Sequence, residues 1–260
     1  MIGLDLGGKV AIVTGGTQGI GEGIARAAAR AGAAGLCITG RDAARGAAVA
    51  ADLSAAGCQA LFVAADLGDA EACRSIVQQT LQRFGRADGL VNAAGLTDRG
   101  TIDDTSTELW DRLMAVNVRA PFILTQELVR HLKHEKRPGS VVNIITMSSH
   151  GGQPFLTAYS TSKGALATLT KNNAGALRRH RIRVNGVNIG WADTPGEHVI
   201  QQRDGNPPDW LQKAEPQQPF GRLIRPADVA TLAVYLLSDA AEMMTGALID
   251  FDQNVMGAYD

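Results

Sequence analysis

Cysteine, aromatic residues and excess charge are all scarce in this chain of 260 residues. Cys37, Cys58 and Cys73 are the three cysteines, aromatic residues make up 5% of the chain, and the formal net charge is -1. Three distant cysteines without a C-x-x-C pair argue against a disulfide framework and a zinc site. Balanced charge argues against a protein that contacts nucleic-acid phosphates. We therefore expect a reducing compartment and no nucleic-acid partner.

The sequence also lacks a long apolar run. No uninterrupted apolar stretch approaches the roughly 18 residues that a membrane-spanning helix needs. The first ten residues contain no basic segment followed by an apolar one, as a secretory signal would. These absences predict no membrane association and a cytoplasmic location.

No repeat, low-complexity tract or Gly/Ser linker interrupts the chain. We therefore expect a single domain over residues 1–260. Within it we expect a cofactor half at about 1–150 and a catalytic and substrate half at about 151–260.

Short runs rich in β-branched residues alternate with patterns of helical period along the whole chain. Apolar runs without polar alternation are typical of strands covered on both faces. Right-handed crossovers through helices then produce a parallel sheet. The sequence thus predicts an α/β fold, a doubly wound Rossmann-type parallel sheet of seven strands with helices on both faces. The predicted strands are residues 10–14, 36–39, 61–64, 90–91, 141–145, 184–189 and 248–249.

One long segment, residues 193–219, has five prolines and no clear periodicity. A stretch of this length without a pattern of its own is either disordered or functional. We interpret it as a lid over the substrate pocket.

A glycine cluster follows the first predicted strand, where residues 14–21 read T-G-G-T-Q-G-I-G. Glycines let the backbone turn sharply and approach a pyrophosphate, which the following helix N-terminus attracts. The cluster predicts a dinucleotide site. Because its spacing is not G-x-G-x-x-G, an ordinary tight turn is the alternative.

The end of the second strand bears on the choice of cofactor. An acid there would bind the adenosine ribose of NAD(H), whereas a guanidinium would bind the 2′-phosphate of NADP(H). Gly40 stands where the acid is expected and Arg41 follows. NADP(H) is therefore the preferred prediction. The alternative is NAD(H), with Asp42 on the ribose and Arg41 in solvent.

Tyr159 and Lys163 are spaced one helical turn apart. The tyrosine pKa is ordinarily near 10, and a nearby cation lowers it by stabilising the phenolate. We expect Lys163 to make Tyr159 acidic enough to exchange a proton with an alcohol while hydride moves to or from a nicotinamide. The alternative is a surface pair without function.

Taken together, these motifs resemble the short-chain dehydrogenase/reductase family, in its single-domain branch of about 250 residues. The match covers nearly the whole chain. Its motifs are the glycine loop, Asp66 after the third strand, N-A-A-G at 92–95, Asn117, and Tyr159-x3-Lys163.

The resemblance implies a role for each matching position. Asn117 would hold a water that connects Lys163 to solvent, and Thr146 stands where the family usually has a serine that holds the substrate oxygen. Ser148 is the alternative hydroxyl, and Ile189 replaces the family's usual proline. The implied catalytic residues are Asn117, Thr146, Tyr159 and Lys163. The implied cofactor-binding residues are Gly15, Thr17, Gln18, Gly19, Ile20, Gly21, Arg41, Asp66, Leu67, Asn92, Ala93, Ala94, Gly95, Tyr159, Lys163, Ile189, Gly190 and Thr194.

The predicted function is an NAD(P)-dependent oxidoreductase acting on CH–OH groups. Polar residues between the hydroxyl loop and the lid favour a small sugar- or polyol-like substrate. A 3-oxoacyl thioester or another ketone is the alternative substrate, and a non-catalytic dinucleotide-binding module is the alternative function. The candidate substrate contacts are Ser148, His150, Gln153 and Trp191, together with the polar Asn188.

Two further expectations concern metals and assembly. His131 and His134 lie at a charged helix end, so we predict no metal site. Relatives of this length commonly form homotetramers or homodimers, and by that analogy we expect residues 109–132 and 158–177 to lie in an interface.

Overall fold

The computed structural model describes residues 4–257, which form one parallel sheet with helices on both faces. All seven strands pair in parallel, in the order 3-2-1-4-5-6-7. The predicted fold class is therefore confirmed. The strands are β1 (Val10–Thr14), β2 (Gly35–Gly40), β3 (Gln59–Ala64), β4 (Gly89–Asn92), β5 (Gly139–Ile144), β6 (Ile182–Ile189) and β7 (Leu248–Phe251).

Alternate residues of the central strands bury themselves against different helical layers. In β1, Val13 packs in the layer that contains Ile24 and Val229, whereas Ile12 packs in the layer that contains Ile76 and Leu124. Both side chains are 0% exposed, so burial on both faces explains the unbroken apolar runs. The helices are α1 (Gly19–Arg30), α2 (Ala43–Ala55), α3 (Ala70–Phe84), α4 (Thr107–Met114), α5 (Ala120–His134), α6 (Thr157–Leu177), α7 (Pro195–Arg203), α8 (Trp210–Ala214) and α9 (Pro226–Leu237).

The order of the strands creates a crevice beside β1. Strand β2 pairs with one edge of β1 and β4 pairs with the other, so the chain winds in opposite directions on the two sides. In open parallel sheets, ligands bind outside the carboxyl ends of the strands at such a switch point. The topology therefore places the glycine loop after β1 at the expected binding edge.

The segment 193–219 contains regular structure that the sequence analysis did not anticipate. It forms α7, α8 and a short 3-10 turn, Glu215–Gln217. Thr194 is the N-cap of α7 and its side chain accepts from the Glu197 N–H, while Pro195 occupies the first turn. A threonine N-cap, an early proline and a glutamate three residues after the cap are a helix-start signal that the five prolines obscured.

Residues 4–257 contain no membrane-spanning helix, no metal-binding cluster and no disulfide. No helix in this range has the length and hydropathy to cross a membrane. The same range contains no group of three or more His, Cys, Asp or Glu side chains arranged to hold a metal ion. The three cysteines are free and buried, and no disulfide joins them.

Candidate active site

A cavity of about 1830 Å³ lies at the carboxyl ends of the strands. Its walls come from the glycine loop, the segments after β2, β4, β5 and β6, and helix α7 of the predicted lid. Most of the predicted site residues lie on these walls. The cavity therefore brings the predicted cofactor loop and the predicted catalytic residues into one space.

The glycine loop fits a pyrophosphate. Gly15 and Gly19 have φ of +65° and +56°, a conformation that glycine adopts without strain. A Cβ on Gly21 would lie 2.3 Å from the Gly15 carbonyl oxygen. Gln18, the N-cap of α1, does not cap the helix with its side chain. The first N–H groups of α1 are consequently left for an anion, which the helix dipole also favours.

At the end of β2, Gly40 is in close contact with the glycine loop. A Cβ on Gly40 would lie 2.7 Å from Thr17 Oγ1. Asp42 is the N-cap of α2 and accepts from the Arg45 N–H at 3.0 Å. Arg45 pairs with the same carboxylate and bonds to Gln18. Arg41 is exposed, lines the cavity, and meets no carboxylate in the described part of the chain.

Polar side chains form hydrogen bonds that fix the segment after β4. Thr14 Oγ1 accepts from the N–H groups of Ala93 and Ala94 at 3.0 and 3.1 Å. Asn92 Nδ2 donates to Asn143 Oδ1 at 2.8 Å. A Cβ on Gly95 would lie 3.3 Å from Lys163 Nζ, so a larger residue there would crowd the ammonium.

Asp66 and Leu67 follow β3 and line the same cavity. Asp66 Oδ1 accepts from the Gly68 N–H at 2.8 Å, which closes a tight local turn. Leu67 is buried. Both residues therefore share one cavity with the glycine loop.

Thr146, Tyr159 and Lys163 meet at the end of β5. Tyr159 and Lys163 are four residues apart on α6, and Thr146 follows β5 directly. The Thr146 hydroxyl lies beside the Tyr159 phenol, and this contact acts to lower the tyrosine pKa. Lys163 Nζ is buried and donates to the Ile144 carbonyl at 2.9 Å. Of the two candidate hydroxyls, Thr146 is the one in contact with Tyr159, while Ser148 lines the cavity nearby.

The pKa of Tyr159 shifts in the direction opposite to the one predicted. Burial raises it to about 12, the Thr146 contact opposes the rise, and the Glu197 carboxylate adds to it. Burial likewise lowers the pKa of Lys163 to about 8. Loss of hydration disfavours the charged form of each group, and the lysine is held by a main-chain carbonyl instead of the phenol.

Asn117 lies in a π-helical turn, Ala115–Arg119, between α4 and α5. Its Nδ2 donates to the Leu96 carbonyl at 3.0 Å and to Ser162 Oγ at 2.9 Å, and its Oδ1 accepts from the Leu96 N–H at 2.9 Å. Both amide hydrogens are therefore used to join the β4 loop to α6. The amide anchors the site, and its Oδ1 has one acceptor position left for a water.

Comparison with known proteins decides the family. A family model described as enoyl-(acyl carrier protein) reductase matches residues 15–253. The chain belongs to the short-chain dehydrogenase/reductase family.

Relatives of full length support this membership. The chain is 35% identical to the NADP-dependent (R)-specific alcohol dehydrogenase of Lentilactobacillus kefiri, over 93% of this chain and 94% of that one. It is also 35% identical to the L-fucose dehydrogenase of Bos taurus, over 90% and 84%. A short-chain type dehydrogenase/reductase from Mycobacterium marinum superposes with a TM-score of 0.88 and 30% identity, covering 98% of both chains.

In this short-chain dehydrogenase/reductase, the segment after β6 faces the glycine loop. A Cβ on Gly190 would lie 2.1 Å from Asp252 Oδ1, so a side chain at Gly190 would require Asp252 to move. A Cβ on Gly19 would lie 3.5 Å from Thr194 Cβ. Ile189, Gly190 and Thr194 all line the cavity, as the resemblance implies for the nicotinamide side.

The predicted substrate contacts divide into two groups. Ser148, Gln153 and Trp191 line the cavity. His150 is not among the residues that line the cavity, and its Nε2 lies 3.1 Å from Asp250 Oδ1 on β7. Asn188 Nδ2 donates to the same oxygen at 2.7 Å. The pairing of β6 with β7 puts Asn188 directly opposite Asp250, so both polar side chains are taken up at the edge of the sheet.

Several polar cavity residues of this short-chain dehydrogenase/reductase were not predicted from the sequence, among them Arg99, Glu197 and Gln201. Arg99 follows β4, whereas Glu197 and Gln201 are on α7, and all three line the cavity. The four-residue spacing of Glu197 and Gln201 in a helix that starts at Pro195 would have placed those two on one face. The partnership with Arg99 spans 98 residues and leaves no local signal.

Proposed function

We propose that this short-chain dehydrogenase/reductase interconverts an alcohol and a carbonyl compound with NADP(H), and that its substrate is a small polyhydroxylated molecule. The contact between Thr146 and Tyr159, beside buried Lys163 and within the cavity of the glycine loop, carries the proposal. Two relatives named for alcohol and L-fucose oxidation support the substrate class.

The residues divide the chemistry as follows. Thr146 holds the substrate oxygen, and Tyr159 takes its proton while the adjacent carbon loses a hydride. A bound oxidised nicotinamide would accept that hydride, and its positive charge would favour the phenolate. Lys163 adds a second positive charge one helical turn from Tyr159, and its side chain is buried in the cavity wall. Carbonyl reduction is the reverse, with Tyr159 donating the proton.

Substitution of the three hydroxyls tests the assignment. We expect Tyr159→Phe to lower kcat by about 10²–10⁴, the usual contribution of a positioned general acid or base. Thr146→Val should lower kcat by about 10²-fold, because a donor to the reacting oxygen is lost. Ser148→Ala is the matched control and should retain most activity. The opposite ranking of Thr146 and Ser148 in initial rates of NADP⁺ reduction would refute this arrangement.

Three observations support NADP(H) over NAD(H). An acid at Gly40 would collide with Thr17, the Asp42 carboxylate already caps α2, and Arg41 is free to meet a phosphate. A guanidinium binds a 2′-phosphate through charge-assisted hydrogen bonds.

The preference is tested by the ratio of kcat/KM for NADP⁺ to that for NAD⁺. We expect Arg41→Ala to lower this ratio by at least about tenfold, as loss of a hydrogen bond to a charged group does. Arg30→Ala, an exposed arginine on α1, is the control and should leave the ratio unchanged. An unchanged ratio in Arg41→Ala would contradict the assignment.

The proposal also includes a cytoplasmic location and a homodimer or homotetramer. Three free, buried cysteines support a reducing compartment. Phe122 on α5, with 45% of its surface exposed, supports an interface along that helix. Light scattering of the wild type and of Phe122→Asp tests the assembly, and a monomeric wild type would reject it.

A further inference from the structure

The lid helix α7 brings one carboxylate, that of Glu197, to the wall of the cavity. Its Oε1 accepts from Trp191 Nε1 at 2.9 Å and from Gln201 Nε2 at 2.6 Å. Arg99 Nη2 lies 3.5 Å from the same atom. Three donors from separate parts of the chain thus converge on one oxygen, which fixes the orientation of the side chain.

The other carboxylate oxygen is left without a protein partner. Among residues 4–257, no donor lies within hydrogen-bond distance of Glu197 Oε2. The side chain is only 17% exposed, and an ionised carboxylate can accept about four hydrogen bonds. The same carboxylate raises the pKa of Tyr159. Glu197 therefore lies within electrostatic range of the catalytic phenol, and its Oε2 can accept from a donor in the cavity.

The charges around Glu197 disfavour an anionic ligand. Arg99 Nη1 pairs with Asp204 at 2.6 Å, and Arg203 pairs with Asp98 at 2.7 Å. This ion-paired cluster contains three carboxylates and two guanidiniums, which leaves one excess negative charge. A carboxylate or phosphate brought next to Glu197 would be repelled, whereas a neutral hydroxyl would be accepted as a donor.

Trp191 supplies an apolar surface beside the carboxylate. Its ring stacks on Trp210 with centroids 5.8 Å apart, and Trp210 is buried. Trp191 itself is 40% exposed and lines the cavity. An aromatic ring next to a hydrogen-bonding group suits a molecule that has a C–H face and hydroxyls at its edge.

We infer that Glu197 determines substrate specificity by accepting a hydrogen bond, through Oε2, from a hydroxyl of the substrate other than the one oxidised. The inference rests on the proposed function and narrows its substrate class to neutral compounds with at least two hydroxyl groups. Arg99, Gln201 and Trp191 are positioning residues, because they hold the carboxylate through its other oxygen.

Three compounds that share a cyclohexane ring and a secondary alcohol test this inference. They are cyclohexanol, cis-cyclohexane-1,4-diol and cis-4-hydroxycyclohexanecarboxylate, which differ only in the group at the far carbon. Each loses a hydride from its hydroxyl-bearing carbon to NADP⁺ and the proton of that hydroxyl to Tyr159, and becomes the ketone. For the wild type we expect kcat/KM to be at least about tenfold higher for the diol than for cyclohexanol, and lowest for the carboxylate.

Substitution of Glu197 should remove this discrimination. In Glu197→Gln and Glu197→Ala, we expect the ratio of kcat/KM for the diol to that for cyclohexanol to fall by about tenfold, mainly through KM. The carboxylate probe should improve relative to cyclohexanol. Glu215→Gln makes the same chemical change elsewhere on the lid, away from the cavity, and should keep the wild-type ratio. Thermal unfolding of each variant confirms that it folds.

The outcomes separate the inference from the proposed function. Equal proportional losses for all three probes would show that Glu197 only supports the lid, and would overturn the inference. A wild-type preference for the carboxylate probe would also overturn it and would implicate Arg112, an exposed cavity arginine with no ion pair in the described residues. If the wild type reduces no NADP⁺ with any alcohol, the proposed function itself fails.

Discussion

The glycine loop and the lid form two walls of the same cavity by different means. In the loop, main-chain geometry makes the surface, and the close contacts are between backbone atoms such as those of Gly15 and Gly21. In the lid, long side chains make the surface through ion pairs such as Asp98 with Arg203. The loop therefore suits a ligand group common to many enzymes, whereas the lid suits one that differs between relatives.

The two walls also differ in how much they resist change. A misplaced Cβ in the loop meets backbone, which moves only with the strand and helix attached to it. A misplaced side chain in the lid meets other flexible side chains, whose exposed ion pairs each contribute little. We therefore expect large effects from small changes in the loop and small effects from large changes in the lid.

The largest effect should come from Gly21→Ala. The added Cβ would lie 2.3 Å from the Gly15 carbonyl oxygen, so the loop must open. We expect NADPH affinity to fall by at least about 100-fold, because a misaligned helix N-terminus loses several hydrogen bonds to the pyrophosphate. Fluorescence titration with NADPH measures the loss.

Gly175→Ala is the control for that substitution. Gly175 lies in α6, and a Cβ there would have no neighbour within 4 Å. The change should stabilise the protein by about 0.5–1 kcal/mol, since alanine is the better helix former. Equal NADPH affinity in the two variants would mean that the loop is as adaptable as the lid.

The second effect concerns the pH dependence of stability. Lys163 is a buried charge with no carboxylate partner among residues 4–257, whereas Arg203 of the lid forms an ion pair. Burial lowers the pKa of Lys163 to about 8 in the folded state, while in the unfolded chain it has its ordinary value near 10.4. Between these values the unfolded state binds more protons, so the free energy of unfolding should rise with pH, by up to about 3 kcal/mol.

Denaturant unfolding of the wild type and of Lys163→Met at fixed protein concentration tests this prediction. The stability of the wild type relative to the variant should increase from pH 8 to pH 10. Above pH 10 the raised pKa of Tyr159 acts in the opposite direction, because the folded state then binds more protons. A difference that stays constant from pH 8 to pH 10 would mean that water reaches the ammonium.

The smallest effect should come from the ion pair between Asp98 of the segment after β4 and Arg203 of the lid. Their side chains are 31% and 48% exposed, so the coupling between them should lie below about 1 kcal/mol. A double-mutant cycle of Asp98→Asn and Arg203→Gln, measured by unfolding, determines it. A coupling above about 2 kcal/mol would make this wall as rigid as the loop and would remove the distinction between them.

Sequence patterns predicted the parts of the molecule that depend on neighbours along the chain. All seven strands lie where the apolar runs placed them, and β1 has the predicted bounds. Tyr159 and Lys163 lie one turn apart on α6, as their spacing predicted.

The parts that could not be predicted depend on distant partners. Arg99 reaches Glu197 only because the loop after β4 meets α7. His150 and Asn188 are occupied by Asp250 because of the register of β6 with β7. The pKa of Tyr159 depends on burial by the folded walls, which the spacing to Lys163 does not encode.

The contact between Gly40 and Thr17 has a consequence for redesign of the enzyme. Converting coenzyme use toward NAD⁺ would ordinarily start with one acidic replacement at the end of β2. Here the Cβ of that replacement would lie 2.7 Å from Thr17 Oγ1, so the side chain at position 17 has to change as well. The two positions are therefore linked, and a route through single substitutions has to alter Thr17 before Gly40.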